Sequence, residues 1–240
     1  MRQAASATSR SSSAGASWAS DHKMEIRRTA NAGVLLKLDG VTILLDGVCR
    51  EGKPYLATPP EERARLTECW PDVLAFTHEH KDHYDPDFAA LFQMQTNGVI
   101  LGPVEFPGCQ PVQTPVTIGG VKILPVPSRH IGKAGNTVPH TSFLIEGSAC
   151  VWFLGDASPL QWRETANFPK PDVLIVPYAY GTTSSGWETA KRFGASKVVL
   201  LHLPARDRDP YGLWDAVEQT TKASSGPMLF IPEMGQTLYL

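Results

Sequence analysis

Three histidines and an aspartate with metal-binding side chains lie within six consecutive residues. They are His78, His80, Asp82 and His83, and they follow an apolar segment typical of a buried strand. Residues at i and i+2 of an extended segment point to one side, so His78 and His80 can bind one metal ion. If the chain then forms a helical turn, Asp82 and His83 reach a second ion about 3.5 to 4 Å away, the spacing found in two-metal hydrolases.

The ligand types also indicate which metal is expected. Neutral imidazole and carboxylate suit zinc, with manganese and iron as alternatives, and such a ligand set leaves a position open for water. We therefore expect two divalent metal ions, zinc in the first instance. Glu79 and Lys81 alternate with the candidate ligands and should point away from the ions.

Further metal ligands are expected where other predicted strands end, because a rigid scaffold presents functional groups on the loops at its strand ends. Three residues have this position: His130, Asp156 and His202. His130 follows the predicted strand 121–126 and a predicted turn over 127–129. His140 competes with His130, because it directly precedes the predicted strand 142–146; if His130 is the ligand, His140 is expected to line the pocket or to lie at the surface.

The order H-x-H-x-D-H, then His, then Gly-Asp, then His resembles the metallo-β-lactamase fold superfamily over residues 24–240. The resemblance implies an α/β fold, a four-layer αββα sandwich of two mixed sheets, with the metal ions at one edge between the sheets. It assigns His78, His80 and His130 to the first ion and Asp82, His83 and His202 to the second, with Asp156 bridging the two.

Within that superfamily, the segment 172–202 and the pair Gly135-Asn136 resemble small metal-dependent hydrolases related to ascorbate-6-phosphate lactonase. The chain departs from this branch at 177–181 and at Ala157-Ser158. Both places can border the pocket, so the substrate stays open. His140, Tyr178 and Tyr180 are the candidates for substrate contact, with a place in the aromatic core as the alternative for the two tyrosines.

The resemblance implies a hydrolase in which a hydroxide bridging two metal ions attacks a small ester, lactone or phosphodiester. Asp156 would orient the hydroxide, and Asp82 could take up or pass on the proton. These two residues are the catalytic candidates, and the expected partner is a small-molecule substrate.

Two alternatives from other functional classes were weighed. A nuclease of the ribonuclease Z kind needs a basic face for RNA, whereas 22 Lys and Arg against 24 Asp and Glu give a net charge of -2, so no nucleic acid partner is expected. A redox or non-catalytic relative would carry a flavin domain, lack a full second metal site or have lost ligands, and the sequence fits none of these.

The elements that must position these residues belong to one domain. The chain has 240 residues, 42% of them hydrophobic, and its 20 Gly and 20 Pro favour short strands joined by turns. We expect a domain over 23–240, preceded by an Ala- and Ser-rich leader over 1–22 that is disordered and is either a targeting segment or an artefact. No apolar run reaches the length of a membrane span. The protein is expected to be soluble and cytoplasmic with no membrane partner, and a homo-oligomer is compatible with the sequence.

Alternating and buried apolar runs predict strands, and capped amphipathic segments predict helices. Helices placed between strands indicate sheets stacked inside a helical cover. The predicted strands are 24–29, 34–38, 41–45, 73–76, 99–101, 121–126, 142–146, 150–154, 172–176, 197–201 and 228–231, and the predicted helices are 59–69, 85–95, 186–193 and 213–222.

Overall fold

The computed structural model describes residues 24–103, 110–132, 137–162, 169–222 and 226–240. The leader predicted over 1–22 and the pair Gly135-Asn136 lie outside these residues. The strands are β1 (Met24–Arg28), β2 (Val34–Leu38), β3 (Val41–Leu45), β4 (Val73–Ala75), β5 (Val99–Leu101), β6 (Val116–Ile118), β7 (Val121–Arg129), β8 (Pro139–Glu146), β9 (Cys150–Phe153), β10 (Val173–Pro177), β11 (Lys197–Leu201), β12 (Met228–Phe230) and β13 (Thr237–Tyr239). The helices are α1 (Pro60–Glu68), α2 (Pro86–Thr96), α3 (Ser184–Arg192) and α4 (Leu213–Lys222).

The strands form two mixed sheets. The first sheet has six strands in the order β13-β1-β2-β3-β4-β5, and the second has seven in the order β12-β11-β10-β9-β8-β7-β6. In both sheets the strands next to the helical connections run parallel, as helical crossovers require. Helices α1 and α2 pack on the outer face of the first sheet, and α3 and α4 pack on that of the second. The predicted αββα sandwich is confirmed.

Alternation along the central strands builds three apolar layers. In β10, Val173 and Ile175 face the core between the sheets, while Leu174 and Val176 face the helices. Every one of these side chains is buried, because the strand is covered on both faces. A continuous apolar run therefore suits this strand better than an alternating one.

The structure corrects the predicted turn before His130. Residues 127–129 are not a turn, because β7 continues through them to Arg129 and pairs with β8, whose first residue is Pro139. The neighbouring strand β6 pairs with residues 121–123 of β7. Within the part of the chain that the structure describes, the second half of β7 therefore has β8 as its one strand partner. Prolines at 125 and 127 are tolerated there because an edge position leaves a backbone N–H unused.

The parallel strands of both sheets end at one edge of the sandwich, and five of these strands lead to polar side chains that converge there. The strands β3, β4, β7, β9 and β11 lead respectively to Asp46, His78, His130, Asp156 and His202. Within the described residues, no helix is both long enough and apolar enough to cross a membrane.

Candidate metal centre

The segment after β4 folds into a helical turn that is held against both sheets. The backbone N–H groups of His83 and Tyr84 both donate to the carbonyl of His80, over 2.9 Å each. The carbonyl of Thr77 accepts from the N–H of Thr141 in the second sheet, also over 2.9 Å. The turn brings His83 back toward His78, and the two ring centroids are 4.1 Å apart.

The first group of converging donors consists of three histidines. Nε2 of His78 lies 3.0 Å from Nδ1 of His80 and 3.3 Å from Nε2 of His130. The other ring nitrogen of His130, Nδ1, lies 2.7 Å from the carbonyl of Ile131 and donates to it. Nε2 of His130 is therefore left as a lone pair directed at the other two rings.

The second group consists of Asp82, His83 and His202. Nε2 of His202 lies 3.0 Å from Nε2 of His83 and 3.4 Å from Oδ2 of Asp82. His83 and His202 are buried and Asp82 is partly buried, and the three donor atoms could hold one ion.

Asp156 lies between the two groups. Its Oδ2 is 3.7 Å from Nε2 of His130, 3.6 Å from Nε2 of His83 and 3.5 Å from Nε2 of His202. Its Oδ1 is buried and has no hydrogen-bond partner among the described residues. A buried carboxylate oxygen without a donor is costly unless a cation or a bound molecule satisfies it.

The donor distances fit metal ions. Ligands at about 2.0 to 2.1 Å from a tetrahedral ion lie roughly 3.3 Å from one another, close to the separations in both groups. Two imidazole lone pairs that face each other across such a distance repel, and a cation between them converts the repulsion into coordination. The seven predicted ligands thus form two groups that fit divalent ions, with Asp156 in reach of both.

Asp46 fixes the orientation of this centre, and the sequence analysis did not identify it. Its carboxylate accepts hydrogen bonds from Nδ1 of His83 over 2.8 Å, and from the N–H and hydroxyl of Thr77 over 2.7 and 2.6 Å. Although Asp46 lies close to His78 and His83, both of its oxygens are already occupied. It therefore orients ligands, as second partners of metal-binding histidines do.

The charged groups of the centre shift one another's pKa values. Burial would raise the pKa of Asp156, but the neighbouring His202 and His83 hold it well below its usual value. Burial would lower the pKa of His83, but Asp156 and Asp46 raise it well above the usual value. Burial, followed by the proximity of His83, holds the pKa of His78 well below its usual value, so its imidazole is neutral and can bind a metal.

His202 and Gly155 are among the positions near the ligands that adopt a left-handed backbone conformation. His202 has φ 63°, and its N–H donates to the carbonyl of Asn31 over 3.2 Å. Gly155 has φ 52°, and a Cβ there would lie 2.4 Å from Cγ2 of Thr77. Glycine before Asp156 is therefore required both by conformation and by the approach of the loop that carries His78.

An open cleft of about 640 Å³ leads to the two donor groups. Asp82, His130, Asp156 and His202 form its floor. Its wall contains Tyr178, one of the predicted substrate contacts, and Tyr55, which the sequence analysis missed. The rings of Tyr55 and Tyr178 lie 4.3 and 5.6 Å from that of His202.

The other two predicted substrate contacts do not line this cleft. The prediction for Tyr180 is wrong, because its side chain is fully buried under α3 in the core of the outer layer. His140 is buried within β8, which corrects the surface position considered for it. Its Nδ1 is 2.7 Å from the hydroxyl of Ser128, its ring lies 5.1 Å from His78, and it lines a neighbouring cavity. Burial lowers the pKa of His140 to about 3.

Comparison with protein families gives one match. Residues 25–197 match the model of the family described as Beta-lactamase superfamily domain. Among curated proteins, none matches the chain.

Several solved structures share the fold. Igni18, a metallo hydrolase from the archaeon Ignicoccus hospitalis, superposes with a TM-score of 0.62 at 19% identity, over 90% of this chain and 97% of that chain. An isothiocyanate hydrolase from Delia radicum gut bacteria gives 0.68 at 15% identity, over 90% and 99%. CmlA, a diiron β-hydroxylase from Streptomyces venezuelae, gives 0.64 at 17% identity, over 92% of this chain and 55% of that chain. These identities establish likeness of fold.

Proposed function

The chain belongs to the β-lactamase superfamily, and from this premise we propose that it is a metal-dependent hydrolase acting on a small-molecule substrate. The observation that carries the proposal is the convergence of seven candidate metal ligands from four segments of the chain. Four of them, Asp82, His130, Asp156 and His202, form the floor of an open cleft. His78, His80 and His130 would hold one divalent ion, and Asp82, His83 and His202 a second, with Asp156 between them.

Such ions, when bound, lower the pKa of a coordinated water and polarise the substrate oxygen that develops negative charge. The chain contributes the positioning. Oδ2 of Asp156 lies within 3.7 Å of donor nitrogens in both groups, so it can orient the attacking water between them. Asp82 lines the cleft and has a pKa below its usual value, because hydrogen bonding and charge from His202 outweigh the effect of burial. Its carboxylate is ionised at neutral pH and can accept the proton that the water gives up.

The cleft supports a small, partly apolar substrate. Leu160, Ile131 and the rings of Tyr55 and Tyr178 offer apolar surface, and the hydroxyls of Ser158, Thr182 and Thr183 offer hydrogen bonds. A lactone, a carboxylic ester or a phosphodiester has an electrophilic centre and an oxygen leaving group that suit this arrangement. The proposed kinship to ascorbate-6-phosphate lactonase places lactones first among these.

A redox activity is the competing proposal, and the fold shared with a diiron β-hydroxylase is the observation that favours testing it. The need for electrons distinguishes the two. A hydrolase needs no reductant whether it holds zinc, manganese or iron, whereas an oxygenase requires both iron and electrons.

The test is metal analysis of the purified full chain followed by a substrate panel. The panel contains lactones, aryl esters, a phosphodiester, a phosphomonoester, an isothiocyanate and a short RNA. We expect about two ions per chain and metal-dependent hydrolysis of a lactone, ester or phosphodiester. Glu79→Ala is the matched control, because Glu79 is exposed between two ligands and should leave both readouts unchanged. A chain that binds no metal, or that turns over a substrate equally well after complete metal removal, would disprove the proposal.

A further inference from the structure

A second cavity, of about 360 Å³, lies beside the metal cleft. Its walls come from the segment before α1, the chain after β11, the beginning of α4 and the chain after β12. Among the described residues, Tyr55 is the one side chain that lines both this cavity and the cleft. The volume falls in the range of small-molecule sites.

One of the residues that line the cavity is a buried arginine. Arg28, the last residue of β1, is only 7% exposed. Its guanidinium donates four hydrogen bonds, all to backbone carbonyls: Nε to Ala30, Nη1 to Pro232, and Nη2 to Asn31 and Leu203. No carboxylate of the described residues forms an ion pair with it. Carbonyl dipoles satisfy the N–H groups, but they do not neutralise the charge.

Two further observations favour an anionic ligand. Burial lowers the pKa of Arg28 to about 10, because the loss of solvation is not offset by a neighbouring carboxylate. Nδ2 of Asn31, which lines the same cavity, is buried and has no acceptor among the described residues. An anionic ligand with an acceptor oxygen near both groups would supply the charge and the acceptor together.

Glu233 also lines the cavity, as an exposed residue. Most of the remaining wall is apolar. Leu56, Ile231, Met234 and the ring of Trp214 line it, and Leu56 and Met234 are partly exposed at its surface. Arg206 stacks on the face of Trp214 with its guanidinium carbon 3.8 Å from the ring centroid, so its charge also borders the cavity. A polar end with uncompensated positive charge and an apolar wall suit a ligand with one charged end and a hydrocarbon body.

We propose that this cavity binds a small amphipathic carboxylate, with its headgroup toward Arg28 and Asn31 and its apolar body against Leu56, Ile231 and Met234. The site is distinct from the metal centre and does not depend on the hydrolase proposal. The cavity nevertheless adjoins the metal centre, because the carbonyl of Asn31 accepts hydrogen bonds both from Arg28 and from the N–H of His202.

The probe is octanoate, titrated calorimetrically into the full-length protein, with octanamide as its uncharged analogue. We expect saturable binding of octanoate with a dissociation constant below about 1 mM. Octanamide should bind at least about tenfold more weakly than octanoate, because it lacks the charge that complements Arg28. Binding of neither probe, or equal binding of both, would overturn the proposal.

Variants locate the site without removing Arg28, whose hydrogen bonds also hold the backbone. Met234→Glu places a negative charge in the wall at a partly exposed position, and we expect it to weaken octanoate binding by about tenfold or more. Met94→Glu makes the same change at an exposed position of α2 and should leave octanoate binding unchanged. Leu160→Glu makes a similar change in the metal cleft and should have little effect. If Leu160→Glu abolished binding while Met234→Glu did not, the carboxylate would be bound at the metal centre and the proposal would be wrong.

Discussion

The carboxylate of Asp46 lies 2.8 Å from Nδ1 of His83, and both side chains are buried. If a metal ion displaces one proton of His83, this hydrogen bond would keep the remaining proton on Nδ1 and leave Nε2, which faces His202 and Asp156, as the metal-binding atom. Asp46 thus determines which nitrogen of His83 is available to a metal ion, although it offers no free oxygen of its own.

Replacing Asp46 by Asn should weaken metal binding without unfolding the protein. The amide retains the shape of the carboxylate but not its charge, so it orients and polarises His83 less well. A loss of about 10- to 100-fold in affinity is expected, measured by competition with a chromophoric chelator. Asp72→Asn is the control, because Asp72 also accepts hydrogen bonds from a threonine, Thr42, but at the surface. Equal losses in both variants would show that the effect is not specific to His83.

Replacing each residue by alanine shows whether His130 or His140 is a metal ligand. His130→Ala removes a nitrogen that lies 3.3 Å from Nε2 of His78, so about one metal ion per chain should be lost. His140→Ala should retain both ions, since its Nδ1 is hydrogen-bonded to Ser128 and it belongs to neither donor group. Elemental analysis of both purified variants gives the answer. Metal loss on substitution of His140 alone would make it the third ligand instead.

Asp156→Ala should reduce hydrolysis by several orders of magnitude, with little change in fold. The carboxylate lies within 3.7 Å of donor nitrogens in both ligand groups, so its loss should remove the orientation of the water and loosen the second ion. Lys81→Ala should leave turnover within a few fold, because Lys81 is exposed. Rates on one accepted substrate and metal stoichiometry are measured together. Near wild-type turnover with two bound ions in Asp156→Ala would refute the dinuclear mechanism.

Asp85 is expected to stabilise the fold in a pH-dependent manner. It caps α2 by accepting from the N–H of Asp87 and pairs with Arg63 of α1. Burial would raise its pKa, but Arg63 and the cap hold it below the usual value. Asp85→Asn should therefore lower the free energy of unfolding by about 1 to 3 kcal/mol at pH 7.

The contribution of Asp85 should be present above the pKa of the unfolded chain, about 3.9, and should be lost as the pH falls through the lower value of the folded state. Urea unfolding of wild type and variant at pH 7 and near pH 3 measures this difference. Asp87→Asn serves for comparison, because its side chain is 81% exposed. A difference for Asp85→Asn that is as large near pH 3 as at pH 7 would contradict the assignment.

The family resemblance carried by the ligand motif implied the αββα architecture, and most of the strands were predicted because they are short apolar runs bounded by turn residues. It missed β13 and β6, whose few residues carry little apolar pattern. Strand β13 forms because Thr237–Tyr239 pairs with β1 from the opposite end of the chain, which no local pattern reveals. The end of β7 was interpreted as a turn because Pro125 and Pro127 argue against a central strand. The structure places both prolines where β8 is the one neighbouring strand among the described residues.

The candidate ligands were predicted from local spacing and from strand ends, but the residues around them were not. Asp46 also follows a strand directly, so the rule that pointed to Asp156 could have found it. Tyr55 lies in a loop between β3 and α1 and reaches His202 only through the tertiary fold, and nothing in its sequence neighbourhood indicates this. Tyr180 was misjudged because an aromatic residue after a strand suits a pocket and a core equally well.

The two donor groups draw their ligands from both sheets, and His83 and His202 are 119 residues apart in the chain. Neither half of the molecule can therefore assemble the centre before the sheets have packed. Bound ions would act as cross-links across the sandwich, so metal capture would come late in folding and would slow the separation of the sheets during unfolding. In the cell, a shortage of the metal ion would increase the fraction of unfolded protein that proteases can degrade. The abundance of the protein would then depend on the supply of the ion as well as on the rate of synthesis.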